Sequence, residues 1–381
     1  MIYLDNSATT IPHTTVIKSF QQATERFFGN PSSLHNIGGE AEKLLTKARN
    51  QAAQLINANT NEIIFTSGGT EGNNLAIKGI ALEHQSRGNH IITTEIEHPS
   101  VFDTCNNLKD LGFDITYLPV NKEGRISIDD LKEAIRDDTI LVSIMHVNNE
   151  LGTIEPIYEV GSLLKQYPKI YFHVDDVQGF GKVPLNIKDC NIDLYTLSGH
   201  KIHGLKGTGL TYVKEGTKLF PLLHGGNQEM GFRSGTENVA GAVSLVKAMR
   251  LIKEQENNDR DHLYELHQFL VHELYNMDNV YVNVPEKNVA PHIINISIPH
   301  VKPEVMVHAL SEEKIFISTK SACSSKSKDE SRVLKACGFS ESRVFSGLRI
   351  SLSYNNTKEE LETFIYVLDK SVKDLKKVME R

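Results

Sequence analysis

A chain of 381 residues, 39% hydrophobic and 23% charged, has the profile of a globular protein with one large domain or two ordinary ones, which excludes a disordered chain. Four cysteines (Cys105, Cys190, Cys323 and Cys337) with no C-x-x-C pair argue against a disulfide framework and against a thiolate zinc site, so no metal is expected. The formal charge of −7 gives no general attraction to nucleic acid, no apolar run approaches the ~20 residues of a membrane span, and MIYLDNSATT lacks the basic-then-apolar pattern of a signal peptide; a cytoplasmic protein with no nucleic-acid or membrane partner is expected.

In chain order, strands are expected at EIIFT (62–66), HIITT (90–94), DITYLPV (114–120), TILVSIMHV (139–147), KIYFHVD (169–175), DLYTLS (193–198) and TGLTYV (208–213). Helical patterns fall between most of them, as in IDDLKEAIR (128–136) and IYEVGSLLKQY (157–167). This alternation implies an α/β fold, a mainly parallel sheet with helices on both faces. The segment from Thr236 to Asn257 reads as one long helix, after which the rhythm changes. Further strands are expected at HIINISI (292–298), KIFIS (314–318) and LRISLS (348–353), and a last helix from Lys358, so a domain boundary is placed near residue 257.

Ligands of open α/β sheets bind beyond the carboxyl ends of the strands, so residues just past strands carry the most information. EIIFTSGGTEGNNLAI is a strand, a glycine turn and a helix; it is either a cradle for an anion such as phosphate or a plain βα turn with Thr70 capping the helix. In KIYFHVDDVQ, Asp175 ends a buried strand, where a carboxylate needs a cationic or hydrogen-bonding partner such as a protonated heterocycle; a helix cap is the other reading. Asn148, Asn149 and His98 follow two further strands. SGHKIHGLKGTG places Lys201 beside Ser198 and His200 in a small, polar stretch. An amine becomes a nucleophile toward a carbonyl when its cationic form is destabilised, and the product is a Schiff base. A phosphate cradle, an aldehyde-binding lysine and a carboxylate for a ring nitrogen together suit pyridoxal 5'-phosphate.

Cys323 stands among small and polar residues in STKSACSSKSKDES, where Lys320, Lys326 and Lys328 favour its thiolate, or else it is a chance surface thiol. Cys337 reads as a structural helix residue near a glycine cap. Arg349, in a strand of alternating residues, could grip a carboxylate bidentately or form a surface ion pair.

These motifs, in this order, resemble the cysteine desulfurases of the NifS/IscS type in the class V aminotransferase superfamily. The resemblance runs through YLDNSATT (3–10), NPSSLHNIG (30–38), FTSGGTEGNN (65–74), EHPSV (97–101), HVNNELG (146–152), HVDDVQGFGK (173–182), SGHKIHGLKGTG (198–209), GGNQEMGFRSGTEN (225–238), SACSS (321–325) and LRISLS (348–353). It implies the fold of the PLP-dependent transferases (fold type I): a mainly parallel seven-stranded sheet in a large domain, residues 13–257, and a smaller α+β domain from residues 1–12 and 258–381 carrying a catalytic loop at about 319–345. By the same resemblance Lys201 would hold pyridoxal phosphate, and Gly69, Thr70, Ser198 and His200 would bind its phosphate. Thr236 would reach the phosphate of a neighbouring subunit, which implies a homodimer with shared active sites. His98 would stack on the ring and serve catalysis, Asp175 would pair with the ring nitrogen, Gln178 would contact the ring oxygen, and Asn149 would lie beside ring and substrate. Arg349 would bind the carboxylate of L-cysteine and Cys323 would take its sulfur, leaving L-alanine.

Two departures stand out: Lys320 where the family often has Gly, and Asp176 where it has a small residue. Selenocysteine lyases and class V transaminases share the cofactor motifs, but a transaminase does not need Cys323. A binding or scaffold paralogue would not need the whole set of Lys201, His98, Asp175 and Cys323. The sulfur would pass to an acceptor protein, an iron–sulfur scaffold or a tRNA-thiolating enzyme, or to a cofactor pathway.

Overall fold

The computed structural model describes residues 1–319 and 330–379, side chains of the last helix to Lys376; Cys323, Lys320, Lys326 and Lys328 lie outside the described residues. The first two thirds of the chain run β1 (Ile2–Tyr3), α1 (Thr14–Arg26), α2 (Asn36–Leu55), β2 (Ile63–Thr66), α3 (Gly69–His84), β3 (His90–Thr94), α4 (Pro99–Lys109), β4 (Asp114–Leu118), α5 (Ile128–Ala134), β5 (Thr139–Met145), α6 (Ile157–Leu164), β6 (Tyr171–Asp175), β7 (Leu194–Ser198), β8 (Gly209–Val213) and α7 (Val239–Asn258). Then follow α8 (Arg260–Tyr275), β9 (Tyr281–Val282), β10 (Ile293–Ser297), α9 (Pro303–Glu312), β11 (Ile315–Phe316), α10 (Arg332–Ala336), α11 (Glu341–Val344), β12 (Gly347–Ser351) and α12 (Lys358–Met379).

The seven runs read as strands form one sheet in the order β2-β8-β7-β6-β5-β3-β4. Neighbours pair in parallel from β4 to β7, and β8 runs antiparallel to both β7 and β2. Its reversal has a local cause. The β7–β8 connection, residues 199–208, contains only a 3-10 turn (Gly199–Lys201), too short for the helical crossover that a parallel pair requires. Strands β3, β5, β7 and β8 are buried along their whole length, so both faces are covered and their sequences are apolar runs rather than alternations. From β3 the chain steps outward to β4, then returns to place β5 on the other side. This reversal opens a crevice at the carboxyl ends of the strands.

A second, antiparallel sheet has the order β12-β10-β9. The chain start joins this part of the molecule: β1 pairs in parallel with β11, Ile2 opposite Ile315, and Ser351 N–H donates to Leu4 O at 2.7 Å. The same segment then crosses to the large sheet, where Thr10 N–H donates to His200 O at 2.9 Å. The closing helix α12 buries Leu361, Phe364, Leu368 and Val372, a three-and-four spacing that puts one apolar stripe against α8 and α9. The long helix expected from Thr236 begins instead at Val239, because the Asn238 side chain caps it, accepting from Gly241 N–H at 2.9 Å.

Candidate active site

The crevice is a cleft of about 690 Å³, counting its open mouth, that gathers Gly69, Thr70, His98, Asn149, Asp175, Gln178, Ser198, His200, Lys201 and Arg349. Of the residues to which the resemblance gives a role, two are not among its lining: Thr236, which is exposed and precedes α7, and Cys323, outside the described residues; Asn148, also noted after β5, is not in the lining either.

At one end of the cleft β2 turns into α3. The helix cap is Gly68 rather than Thr70, which stands in the first turn. Gly68 has φ +154°, a conformation side chains rarely adopt, and a Cβ on Gly69 would come within 2.8 Å of Val177 Cγ2. Only glycines leave this cradle open. Gly68 offers no capping side chain, and the first N–H groups of a helix have no acceptor within it, so this end of the cleft suits an anion. Ser198 stands beside it, its Oγ 3.6 Å from where a Cβ on Gly68 would be, and His200 lines the same cleft. His200 has its pKa pushed down to about 4, first by burial and then by the charges of Lys201, Lys206 and Lys182, so its ring is neutral.

Asp175, the last residue of β6, forms part of the floor. Its carboxylate accepts from Val177 N–H at 3.0 Å and from Asn73 Nδ2 at 2.7 Å. Burial, with the charge of Asp176 adding to it, pushes its pKa up to about 6 against those two hydrogen bonds and the charge of Lys201. Asn73 also donates to Ser100 Oγ at 2.9 Å, and that hydroxyl lies 2.8 Å from His98 Nδ1. His98 caps α4: its Nδ1 accepts from Ser100 N–H at 3.1 Å, which places the ring proton on Nε2. Burial first, then the charges of Lys201, Arg332 and Arg349, pushes its pKa to about 4. One neutral imidazole thus caps α4 and lines the cleft.

Lys201 closes the 3-10 turn after β7. Its Nζ donates to the carbonyl oxygens of Ser7 and, at 2.9 Å, Ala8. Gln178 Nε2 donates to Ser7 O at 3.0 Å, while its Oε1 is buried with no partner among the described residues. Arg349 overturns the surface ion-pair reading, being 1% exposed. It donates to Asn149 O at 2.8 Å and to Asp5 Oδ1 at 3.2 Å, and its Nε has no partner among the described residues. Sequence reasoning passed over Asn73, Ser100 and the Ser7–Ala8 carbonyls. Asn73 carried a signal, lying one helical turn beyond Gly69.

The residues present fit pyridoxal phosphate. The glycine cradle answers to a phosphate, the buried carboxylate of Asp175 to a pyridinium nitrogen, and the amine of Lys201 to an aldehyde. Among the described residues no group of His, Cys, Asp and Glu could hold a metal ion, and no helix is long and apolar enough to cross a membrane.

This fold with a lysine past β7 and an aspartate ending β6 defines a class of pyridoxal-phosphate enzymes, and the chain belongs to it: it is a member of the aminotransferase class-V family, whose model matches residues 2–364. It is 43% identical over 378 residues to the cysteine desulfurase IscS of Dictyoglomus turgidum, covering 99% of this chain and 96% of that one. It is equally identical, over 375 residues, to the cysteine desulfurase IscS of Methanosarcina thermophila, covering 98% of this chain and 93% of that one. Among solved structures it resembles a NifS-like protein at TM-score 0.91 and 35% identity, covering 98% of this chain and 99% of that one. A NifS-like protein from Rickettsia africae superposes at TM-score 0.87 and 32% identity, covering 97% and 99%.

Proposed function

We propose that the protein is a cysteine desulfurase that takes sulfur from L-cysteine with the help of pyridoxal phosphate, releases L-alanine and leaves a persulfide on Cys323. The observation that carries this reading is the convergence in one cleft of the Lys201 amine, the buried Asp175 carboxylate and the buried Arg349 guanidinium. When bound, the cofactor supplies an electron sink for the pair left at the substrate Cα. Lys201 would hold it and, once freed by the substrate amine, would move the Cα proton. Asp175 would keep the ring nitrogen protonated, an attraction that lowers the aspartate's own proton affinity in return. Neutral His98 would cover the ring, and Gln178 and Asn149 would fix its oxygen edge. Gly69, Thr70, Ser198 and His200 would hold the phosphate.

Arg349 would bind the substrate carboxylate, using donors that Asn149 O and Asp5 leave over. The thiolate of Cys323 would then attack the substrate sulfur: the S–S bond forms, the Cβ–S bond breaks, and its electron pair stays with the carbon fragment, which is protonated to alanine. Thr236, exposed in the single chain, suits delivery to a second subunit's phosphate in a homodimer. The persulfide would pass to an acceptor protein, an iron–sulfur scaffold or a tRNA-thiolating enzyme.

The test is direct. Purified protein given L-cysteine and a thiol reductant should form alanine and sulfide in equal amounts, and Cys323→Ala should form neither while borohydride still fixes the cofactor to Lys201. A protein that makes alanine with Cys323 absent, or that yields no fixed adduct at Lys201, would overturn the reading.

A further inference from the structure

Asp175 and His98 follow different strands, and a chain of hydrogen bonds through two side chains joins them. Gly72 lets α3 lie close on the sheet: a Cβ there would stand 2.6 Å from Thr196 Cγ2 and 2.6 Å from Thr211 Oγ1. The next residue, Asn73, is 1% exposed and reaches both ends of the chain. Its Nδ2 donates to Asp175 Oδ2 at 2.7 Å and to Ser100 Oγ at 2.9 Å. Ser100 stands in the first turn of α4, just after Pro99, with its Oγ 2.8 Å from His98 Nδ1.

The first bond dictates the direction of the others. An ionised carboxylate accepts and cannot donate, so the amide must turn its NH2 toward Asp175, and the same NH2 gives its second proton to Ser100 Oγ. With a donor already aimed at it, the hydroxyl has its own proton to give, and the acceptor beside it is His98 Nδ1. That nitrogen then accepts twice, from the hydroxyl and from Ser100 N–H at 3.1 Å. Both bonds favour a bare Nδ1 and oppose its protonation. The charged groups facing His98 are Lys201, Arg332 and Arg349, with His200 beside them, and all act in the same sense as burial.

We propose that Asn73 and Ser100 are positioning residues for His98: they relay the orientation set by the Asp175 carboxylate, so that one anion keeps the cofactor's ring nitrogen charged and the histidine over that ring neutral. The inference rests on the cofactor reading above, in which a cationic imidazole would oppose the charge of the ring it covers. The test uses full-length protein loaded with pyridoxal phosphate and carrying isotope-labelled histidine. The ring signals of His98 are followed by NMR from about pH 8 to 5. Wild-type His98 should stay neutral over that range, in keeping with its pKa of about 4. In Asn73→Asp the two adjoining carboxylates share one proton, so the pair keeps a single negative charge. Residue 73 can no longer donate to Ser100, and the hydroxyl turns to it and away from Nδ1. His98 should then titrate about one unit higher, a roughly tenfold larger protonated fraction near pH 6. Ser100→Ala should raise it by a similar amount, and adding Asn73→Asp to that variant should change nothing further. Ser100→Thr, which keeps the hydroxyl, should titrate as wild type. The two serine variants carry the test should Asn73→Asp fold poorly. An unshifted His98 in Asn73→Asp or in Ser100→Ala, or shifts that add in the double variant, would overturn the inference. A wild type with no borohydride-trapped adduct at Lys201 would instead strike the functional reading, and the same titrations would still judge the relay.

Discussion

The floor of the cleft and its arginine wall are assembled by different routes. Asp175, Ser198, Lys201 and Asn149 all sit at or just past the carboxyl end of a strand in one sheet, so the topology of that sheet alone brings them together. Arg349 sits inside β12, opposite Asn295 in the register of the smaller sheet. It faces the cleft only because the chain start, through Asp5, and the loop after β5, through Asn149, close around it. The floor therefore answers to local strand-end chemistry, and the wall to the packing of three distant stretches of chain. Floor variants should disturb the cofactor, whereas wall variants should disturb the grip on substrate.

The largest effect belongs to the floor. Lys201→Ala should lower desulfuration by about 10³-fold or more, because it removes both the covalent anchor and the proton carrier. Alanine formation measures this, and the protein should still fold. At the wall, Arg349→Lys keeps a charge but loses the planar fork of donors. It should lower kcat/KM for L-cysteine by about 10- to 100-fold, the worth of roughly 1.5–3 kcal/mol in a hydrogen bond to a charged group. Cofactor content, read by absorbance, should stay at the wild-type level. If Arg349→Lys emptied the site of cofactor as well, the separation of floor from wall would fail.

The same contrast marks what the sequence made legible. Seven apolar runs became the seven strands of one sheet, and the residues after them reached the cleft, since strand-end position is a local property. The direction of β8 was not legible from composition; it followed from the shortness of the 199–208 connection. Arg349 was open between two readings because alternation in LRISLS suggests one wet face, yet β12 is buried almost throughout, covered by parts of the chain far from it in sequence. Ser7 and Ala8 hold Lys201 through backbone carbonyls, which every residue possesses, so no side chain announced them. Asn73 could be read as an ordinary helix residue until its amide was seen on Asp175.

The smallest predicted effect is one of stability, and it has the opposite sign from the effect on activity. Burial raises the Asp175 pKa to about 6, above the ~3.9 of an unfolded chain, so the folded state binds the proton more tightly than the unfolded state does. Below the unfolded value both states are protonated and the group has no effect. As pH rises through the interval to the folded value, ionisation is hindered only in the folded protein, which loses stability until about pH 6 and then no more. The loss amounts to roughly 1–3 kcal/mol. Asp175→Asn removes it. The asparagine can keep the bond from Val177 N–H, and Asn73 can turn its unpartnered Oδ1 to accept from the new amide. Urea unfolding of cofactor-free protein should therefore show Asp175→Asn more stable than wild type by roughly 1–3 kcal/mol near pH 8, with the advantage vanishing near pH 4. With pyridoxal phosphate bound the order should reverse, because only the wild-type carboxylate gains from a protonated ring nitrogen. A variant less stable than wild type at both pH values without cofactor would mean that the hydrogen bonds of Asp175 to the floor outweigh the cost of ionising a buried carboxylate there.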